Sequence, residues 1–315
     1  MSGSGDPRSD DSYNPDMTEE MSAPGRVVVV GNAGLDLRLA VPRLPIPGET
    51  LIGSAGARAP GGKGLNQAVV AARCGASVRF CAPLGNDLAE ANEVERHLAI
   101  EGFAELILPR LPHATDFSLL MVLPHGENSI VSTSACSLAL APAQAELALL
   151  GLDERDIVLL QGNLSLDTTA FILAAAQRQK AMTILNPAPF WPGAEKLLGQ
   201  CSLVIANRGE AESLAGSIHA AGAAIITLGA DGCMLVERKQ RRSFPAETVT
   251  AIDTTGCGDT FCGVMAAALA DGLPTDAAIG VSQKAAALTA TRPGAFQALP
   301  SREELGAILT NGPWA

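Results

Sequence analysis

The sequence is poor in aromatic residues and carries more acidic than basic side chains. Aromatic residues make up 3% of the 315 residues, and the formal net charge is −11. Binding along a nucleic-acid backbone needs a basic field, and single-strand binding needs aromatic stacking platforms. The composition therefore argues against a nucleic-acid partner, while a local basic site for a small anion remains compatible with it.

Two further absences concern the cell compartment. No apolar run reaches the ~18 residues of a transmembrane helix, and the first residues lack the charged start and apolar stretch of a secretory signal. The seven cysteines include no Cys-x-x-Cys pair, which indicates reduced, mostly buried thiols and no disulfide framework. We expect a cytoplasmic protein that contacts no membrane.

The order of apolar runs predicts a doubly wound α/β fold. Residues 1–25 are rich in small and polar residues without a hydrophobic period, so we expect a disordered tail followed by one domain over residues 26–315. Apolar, β-branched runs alternate with helical stretches, which is typical of a mainly parallel sheet flanked by helices, with ligands at the carboxyl ends of the strands. The predicted strands are residues 26–30, 77–81, 157–161, 182–185, 203–206 and 224–228, and the predicted helices are residues 65–74, 168–179, 210–215 and 260–270.

Two segments interrupt this alternation. Residues 39–59 and 114–133 resemble β-hairpins, with turn residues at Pro47-Gly48 and His125-Gly126. We expect the two hairpins to pair into a small antiparallel β flap, or lid, over the active site.

The stretch from Asp253 to Phe261, Asp-Thr-Thr-Gly-Cys-Gly-Asp-Thr-Phe, precedes an apolar helix. Glycines let successive backbone N–H groups converge, and the helix N-terminus adds its free amides and positive dipole end, so the stretch predicts an anion hole. Asp259 lies at the edge of this hole. A carboxylate there suits a base that takes a proton from an attacking hydroxyl, although an ordinary helix N-cap is the alternative.

A second glycine-rich stretch, Pro60-Gly-Gly-Lys-Gly-Leu-Asn-Gln67, is no phosphate-binding Walker loop. Gly62 stands where that loop needs Lys, and Gly64 replaces its Ser or Thr. No G-x-G-x-x-G occurs either, which disfavours a dinucleotide-dependent dehydrogenase. The backbone of this turn can approach a polyhydroxylated ligand, and Asn66 can donate and accept hydrogen bonds. A plain turn at a helix entry is the alternative.

Two acidic positions follow predicted strands. Asp36, in Gly31-Asn-Ala-Gly-Leu-Asp36, can accept two hydrogen bonds from vicinal hydroxyls, or it can stabilise a turn. In Asn207-Arg-Gly-Glu210, the acid can hold a hydrated Mg²⁺ near nucleotide phosphates, or the pair can form a helix cap.

Together these stretches resemble the ribokinase (PfkB) family of carbohydrate kinases from about Arg26 to the C-terminus. Gly61-Gly-Lys-Gly-Leu-Asn-Gln67 is similar to the family's amino-terminal signature and Asp253–Asp259 to its carboxy-terminal one. The segments Asn186-Pro-Ala-Pro189, Asn207–Glu210 and Thr227-Leu-Gly229 occur in the family's order.

The resemblance implies an ATP-dependent kinase that phosphorylates a hydroxyl, expected to be primary, of a small sugar, with a homodimer as the expected assembly. It also implies a role for each matched position. The implied catalytic residues are Asp259 as base and Gly256, Cys257 and Gly258 as anion hole; the implied sugar-binding residues are Asp36, Gly62, Lys63, Asn66 and Asn163; the implied ATP-binding residues are Asn207, Glu210, Thr227, Gly229 and Gly232. The implied ions are Mg²⁺, held through water near Glu210, and a monovalent cation, usually K⁺, at the loops of Asp253, Thr255, Arg292 and Gly294.

Three positions and one segment depart from the ribokinase pattern. Asn163 replaces a Glu that binds sugar hydroxyls, and Gly34 replaces an Asn for which Asn32 can substitute. Ala298 replaces a Ser near the cation loop, and the segment from Ser213 to Ala223 is short, so one peripheral helix should be truncated.

Because an amide replaces an obligate acceptor at Asn163, the substrate need not be ribose. A nucleoside kinase of the same family is the nearest alternative, although few aromatics are available to stack on a base. A sugar-phosphate kinase would need a second basic cluster, for which only Arg58 and Lys63 are candidates. A sugar-binding protein without catalysis is the alternative from another class.

Overall fold

The computed structural model describes residues 24–124, 128–214, 216–238 and 240–310. In these residues the largest sheet has nine strands in the order β15-β14-β13-β12-β11-β10-β1-β4-β6. All neighbours from β6 to β13 are parallel, whereas β13, β14 and β15 pair antiparallel. The strands are β1 Val27–Val30, β4 Val78–Cys81, β6 Glu105–Ile107, β10 Ile157–Gln161, β11 Met182–Asn186, β12 Leu203–Asn207, β13 Ala223–Thr227, β14 Cys233–Glu237 and β15 Gln240–Phe244.

Helices cover both faces of this sheet. One face packs against α1, α2, α7, α8 and α9, and the other packs against α4 and α5. Val27 and Val29 face the first layer while Val28 and Val30 face the second, so β1 is apolar at every position. The helices are α1 Lys63–Arg73, α2 Leu88–Leu98, α3 Ala135–Leu138, α4 Pro142–Ala145, α5 Leu166–Arg178, α6 Arg208–Ser213, α7 Cys257–Ala270, α8 Thr275–Ala290 and α9 Arg302–Thr310.

The predicted doubly wound α/β fold is confirmed. Every predicted strand and helix is present, with bounds that differ from the expected ones by a few residues. Of the described helices, none combines the length and apolar character that a membrane crossing requires. The expected truncation of a peripheral helix stays a prediction; α6 has six residues, and a short 3-10 turn at Ser217–Ala220 follows it.

The strand order reverses between β1 and β10. The chain proceeds from β1 to β4 and β6 on one side, and from β10 to β13 on the other. In an open parallel sheet, loops diverge at such a switch point and leave a crevice at the carboxyl ends of the strands. Asn163 lies in the loop after β10, and Asp36 lies in β2, which begins four residues after the end of β1, so the topology places both residues beside this crevice.

The lid is a separate four-stranded sheet in the order β3-β2-β8-β9. The outer pairs β2–β3 and β8–β9 are the two expected antiparallel hairpins, but the central pair β2–β8 is parallel. The turn at Pro47-Gly48 is present, and the one expected at His125-Gly126 lies outside the described residues, as do residues 1–23 of the expected tail. The lid strands are β2 Gly34–Ala40, β3 Ser54–Gly61, β8 Asp116–Val122 and β9 Asn128–Ser132; a further short parallel pair consists of β5 Leu84–Gly85 and β7 Arg110–Leu111.

The lid therefore begins earlier in the chain than residue 39. Gly34 pairs with Asp116, and a Cβ at Gly34 would lie 2.0 Å from the Asp116 carbonyl oxygen. This close approach requires glycine and starts β2 at residue 34.

Candidate active site

Two helix N-termini meet beside the crevice. The helix α1 follows Gly62 and α7 follows Gly256, and both glycines have positive φ, 104° and 82°. Neither helix has a side-chain hydrogen bond at its N-cap, and α1 packs against α7. In α1 the Gly64 and Leu65 amides are engaged by Asn32. The two positive dipole ends, together with the remaining amides of the first turns, still suit a ligand with negative charge.

Asp259 lies in the first turn of α7 and is held by side chains from the first turn of α1. Asn66 Nδ2 donates to Asp259 Oδ2 at 3.1 Å, and Gln67 Nε2 donates to Asp259 Oδ1 at 3.0 Å. Lys63 Nζ lies 3.9 Å from Oδ1. Asp259 is 6% exposed, so two amide donors and one cation orient a nearly buried carboxylate.

A buried network of amides supports these donors. Gln67 Nε2 also donates to Asn186 Oδ1 at 3.1 Å, and Gln161 Nε2 donates to Gln67 Oε1 at 2.8 Å. Asn186 in turn donates to the backbone carbonyl of Ile205 at 2.9 Å. Because Gln67 has both its amide hydrogens and its oxygen engaged, its orientation toward Asp259 is determined.

Three amide oxygens near this network have no partner among the described residues. They are buried and belong to Asn66, Gln161 and Asn163. The indole Nε1 of Trp191 is buried and equally without a described partner, and its ring lies against Gly162, where a Cβ would be 2.5 Å from Cζ3. Buried acceptors without donors are costly unless a ligand satisfies them, and sugar hydroxyls are suitable donors.

Asp36 adds a carboxyl group to this acceptor set. A Cβ at Gly61 would lie 2.2 Å from Asp36 Oδ1, so the glycine-rich turn packs directly on this side chain. The pKa of Asp36 is raised to about 6, chiefly by burial. A hydrogen bond from Ser118 opposes this rise, and the charge of Asp259 adds to it. The two acids are thus close enough to interact.

Comparison with known proteins agrees with this geometry. The profile of the pfkB family carbohydrate kinases matches residues 25–302. The ribokinase of Haemophilus influenzae is 32% identical over 295 residues, which cover 88% of this chain and 96% of that protein. The ribokinase of Bacillus subtilis is 30% identical over 291 residues, which cover 90% of this chain and 99% of that protein. The crystal structure of ribokinase from Thermotoga maritima has a TM-score of 0.78 and 29% identity, covering 91% of this chain and 99% of that chain.

The chain belongs to the pfkB family of carbohydrate kinases. It is accordingly a phosphotransferase, and the resemblance inferred from the two glycine-rich signatures is confirmed.

In this carbohydrate kinase, the ammonium group of Lys63 interacts with two acids, Asp259 and Glu210. The carboxylate of Asp259 raises the pKa of Lys63, which burial lowers and Glu210 raises further. Burial raises the pKa of the Cys257 thiol to about 12, and the nearby Asp253 and Asp259 add to this effect. The thiol at the start of α7 therefore stays neutral and adds no negative charge to the anion hole.

The expected nucleotide residues lie at the ends of β12 and β13. Asn207 Oδ1 accepts from the Glu210 N–H, and Glu210 Oε2 accepts from the Asn207 N–H, both at 2.8 Å, which is a capping box. The cap alternative is therefore realised. Thr227 ends β13, and a turn at Gly229 and Gly232 leads into β14.

A bound Mg²⁺ would fit only as an ion held largely by nucleotide phosphates and water. In the described part of the chain, no group of three or more His, Cys, Asp or Glu side chains could hold a metal. One oxygen of Glu210 is engaged in its cap, and burial raises the pKa of this carboxyl while the Asn207 N–H and Lys63 lower it. Glu210 can then offer its other oxygen to a water of the ion.

Three of the four expected cation residues lie together, and the side chain of the fourth points elsewhere. Asp253 accepts hydrogen bonds from both the backbone N–H and the hydroxyl of Thr255, at 2.9 and 2.6 Å, and from the Gly294 N–H at 2.9 Å. The structure thus brings Asp253, Thr255 and Gly294 together. It directs the Arg292 guanidinium elsewhere, to the carboxylate of Glu304.

Three side chains that orient or surround Asp259 are not assigned a role by the sequence analysis. Gln67, Gln161 and Asn186 form the amide network, yet their positions carried a signal. Gln67 closes the glycine-rich stretch, and Gln161 and Asn186 each end an apolar strand, where a polar side chain faces the crevice. Asn32, which is expected to substitute at the sugar site, accepts from the Gly64 N–H at 3.1 Å and thereby holds the glycine-rich turn; its contact with sugar stays a prediction.

Proposed function

We propose that this enzyme transfers the γ-phosphoryl group of ATP to a primary hydroxyl of a small sugar, with Asp259 as the base. The observation that carries the proposal is the Asp259 carboxylate, fixed by Asn66 and Gln67 at the N-terminus of α7. The negative charge of this carboxylate would repel an anion that only rests at the helix amides. It is useful when a hydroxyl proton must leave as the phosphoryl group arrives.

In the proposed reaction, Asp259 accepts the proton of the sugar hydroxyl, and the oxygen attacks the γ-phosphorus in line. The bond from the γ-phosphorus to the bridging oxygen breaks, and ADP leaves with that electron pair. Backbone amides of Gly256, Cys257 and Gly258 stabilise the charge on the phosphoryl oxygens. A phosphate-bound Mg²⁺ would neutralise part of the same charge.

We assign sugar binding to Asp36, Gly62, Lys63, Asn66 and Asn163. The carboxyl of Asp36 and the amide oxygens of Asn66 and Asn163 offer several acceptors in one buried region. Such a set suits a molecule with several hydroxyl donors. Because the Asn163 amide offers one acceptor and one donor group where a Glu offers acceptors alone, the preferred pattern of sugar hydroxyls should change, and the substrate need not be ribose.

We assign ATP to the opposite side of α7, near Asn207, Glu210, Thr227, Gly229 and Gly232. These residues follow β12 and β13, beyond the sugar residues along the sheet edge. The γ-phosphate would then meet the sugar hydroxyl between α1 and α7.

We further infer a cytoplasmic homodimer. All seven cysteines are free, which supports a reducing compartment. The lid presents exposed apolar side chains at Phe117, Ile130 and Val131, which are 49%, 49% and 61% exposed. Among the residues that the structure describes, β9 is an edge strand of its sheet, and a second copy of the lid would cover both features.

The test is a coupled assay of ADP release with Mg-ATP over a panel of pentoses, ketoses, deoxysugars and nucleosides. We expect one free sugar to give the highest kcat/KM, and ³¹P NMR of the product to show a phosphate ester on a primary carbon. A nucleoside as the best substrate would replace this proposal by a nucleoside kinase. Sugar binding without ADP release would replace it by a binding protein.

A further inference from the structure

The carboxylate of Asp253 joins three segments of the chain. Its Oδ1 accepts twice from Thr255 in the anion-hole loop, and its Oδ2 accepts from the Gly294 N–H in the loop before α9. The third segment is the lid, because Arg38 of β2 places its Nη2 3.6 Å from the same Oδ2. Asp253 itself is 8% exposed, so its charge is balanced almost entirely by these groups.

Arg38 extends over both loops from the lid. A Cβ at Gly294 would lie 3.4 Å from Arg38 Nη1, so the guanidinium rests on this glycine. A second lid strand contacts the same place, since Asn128 Nδ2 of β9 donates to Thr255 Oγ1 at 2.5 Å. The lid is thus linked to the anion-hole loop by one cation and one amide.

The side chains at these loops do not fit an additional monovalent cation. Both oxygens of Asp253 already face donors or a cation, and Thr255 Oγ1 is bonded to Asp253 and Asn128. Ala298 is buried and has no side-chain oxygen. The buried side-chain oxygens without partners in the described residues belong to Asn66, Gln161 and Asn163, outside these loops.

Backbone oxygens nearby are also engaged. The carbonyl of Thr254 accepts from the Cys257 N–H, and that of Ala295 accepts from the Ala298 N–H. The carbonyl of Ala290 accepts from two amides, those of Ile252 and Asp253. A K⁺ ion needs several oxygens that face one point, and these three oxygens already accept hydrogen bonds from the backbone.

We propose that Arg38 is a positioning residue whose guanidinium supplies the positive charge at the anion-hole loop, in place of a monovalent cation. The proposal rests on the kinase function proposed above. A covalently attached cation is always present and moves with the lid, so lid position and anion-hole geometry become coupled. Catalysis should then be insensitive to K⁺, whereas loss of the Arg38 charge should disturb the Gly256–Gly258 amides.

The experiment compares the wild-type enzyme with Arg38→Met, Arg38→Lys and Arg43→Met, in KCl and in tetramethylammonium chloride at equal ionic strength. Arg43 pairs with Glu49 in the same hairpin, away from Asp253, so Arg43→Met is the matched control. We expect wild-type kcat and Tm to be equal in the two salts. Arg38→Met should lower kcat roughly tenfold or more, as expected for misplaced phosphoryl contacts, with Arg38→Lys restoring most of it and Arg43→Met unchanged.

Either of two results would overturn the proposal. One is a wild-type kcat or Tm that rises in KCl relative to tetramethylammonium chloride, since that would reveal a bound K⁺. The other is an Arg38→Met enzyme with wild-type kcat. The Tm comparison needs no substrate, so it tests K⁺ binding even if no sugar is phosphorylated. Absence of sugar phosphorylation would contradict the proposed function and leave the result on K⁺ binding intact.

Discussion

The carboxyl of Asp36, proposed above to bind sugar, is buried at a cost in stability. Its folded pKa, about 6, lies above the ordinary value of 3.8 because the side chain is buried. The fold therefore favours the protonated form, and stability decreases as the pH rises from about 4 to about 6 and does not fall further above that. At neutral pH the enzyme holds a buried carboxylate that is suited to accept sugar hydroxyls.

Asp36→Asn should accordingly stabilise the protein and impair substrate binding. We expect the free energy of unfolding to rise by ~1–3 kcal/mol at pH 7.5, the value of a shift of about two pKa units, and by about half of that at pH 5. The KM for sugar should rise at least ~10-fold, because a hydrogen-bond acceptor is lost. Urea unfolding at both pH values and steady-state kinetics measure this; a destabilised variant at pH 7.5 would contradict it.

At the scale of residues, the sequence indicates which side chains are candidates for the site, but it does not indicate which other side chains they contact. Asp259 was recognisable as the acid that opens a helix after two glycines. Its hydrogen-bond donors Asn66 and Gln67 lie 193 and 192 residues away in the chain. No local pattern encodes such a contact, and Arg38 beside Asp253 is a second example. Only the packing of α1 and the lid against α7 reveals these pairs.

At the scale of elements, α7 offers an internal comparison. Gly256 precedes it at φ 82°, and Gly272 follows it at φ 84°. A Cβ at either position would meet no atom closer than 3.4 Å. Replacement by Ala should thus impose the same backbone strain, ~1–2 kcal/mol, at both ends of one helix.

Gly256→Ala and Gly272→Ala should therefore lose similar stability but differ in activity. We expect Gly256→Ala to lower kcat by roughly 10–100-fold, because relaxation of the strained residue reorients the anion-hole amides. Gly272→Ala should keep its kcat. Equal kcat for the two variants, measured together with their urea midpoints, would show that the α7 N-terminus does not contact the phosphoryl group.

Element prediction succeeded where one physical signal dominated. Strands such as β1 and β10 are buried on both faces, so their continuous apolar runs indicate them directly. By contrast β15, with the sequence Gln-Arg-Arg-Ser-Phe, is largely exposed and has no apolar period. Pairing with β14 stabilises this strand, and the residue types in β15 do not predict that pairing. The parallel β2–β8 pair was missed because turn residues identify hairpins but do not tell how two hairpins join.

At the scale of the whole molecule, the exposed lid predicts the assembly. Val131 on the edge strand β9 is 61% exposed, and Ile100, outside the lid, is 80% exposed. If a second lid covers β9, Val131→Asp should convert a dimer to a monomer at micromolar concentration, while Ile100→Asp adds the same charge and stays dimeric. Sedimentation velocity distinguishes these states. A monomeric wild-type protein, or a dimeric Val131→Asp variant, would refute assembly through the lid.

The central claim is that Asp259 is the base of an ATP-dependent sugar kinase. The most direct test is the kcat of Asp259→Asn on the best sugar, with Asp271→Asn, at the other end of α7, as the control. We predict a kcat at least ~10²-fold lower for Asp259→Asn, the usual cost of losing a positioned base, with ATP and sugar still bound and Asp271→Asn fully active. Near-wild-type turnover by Asp259→Asn would contradict the account.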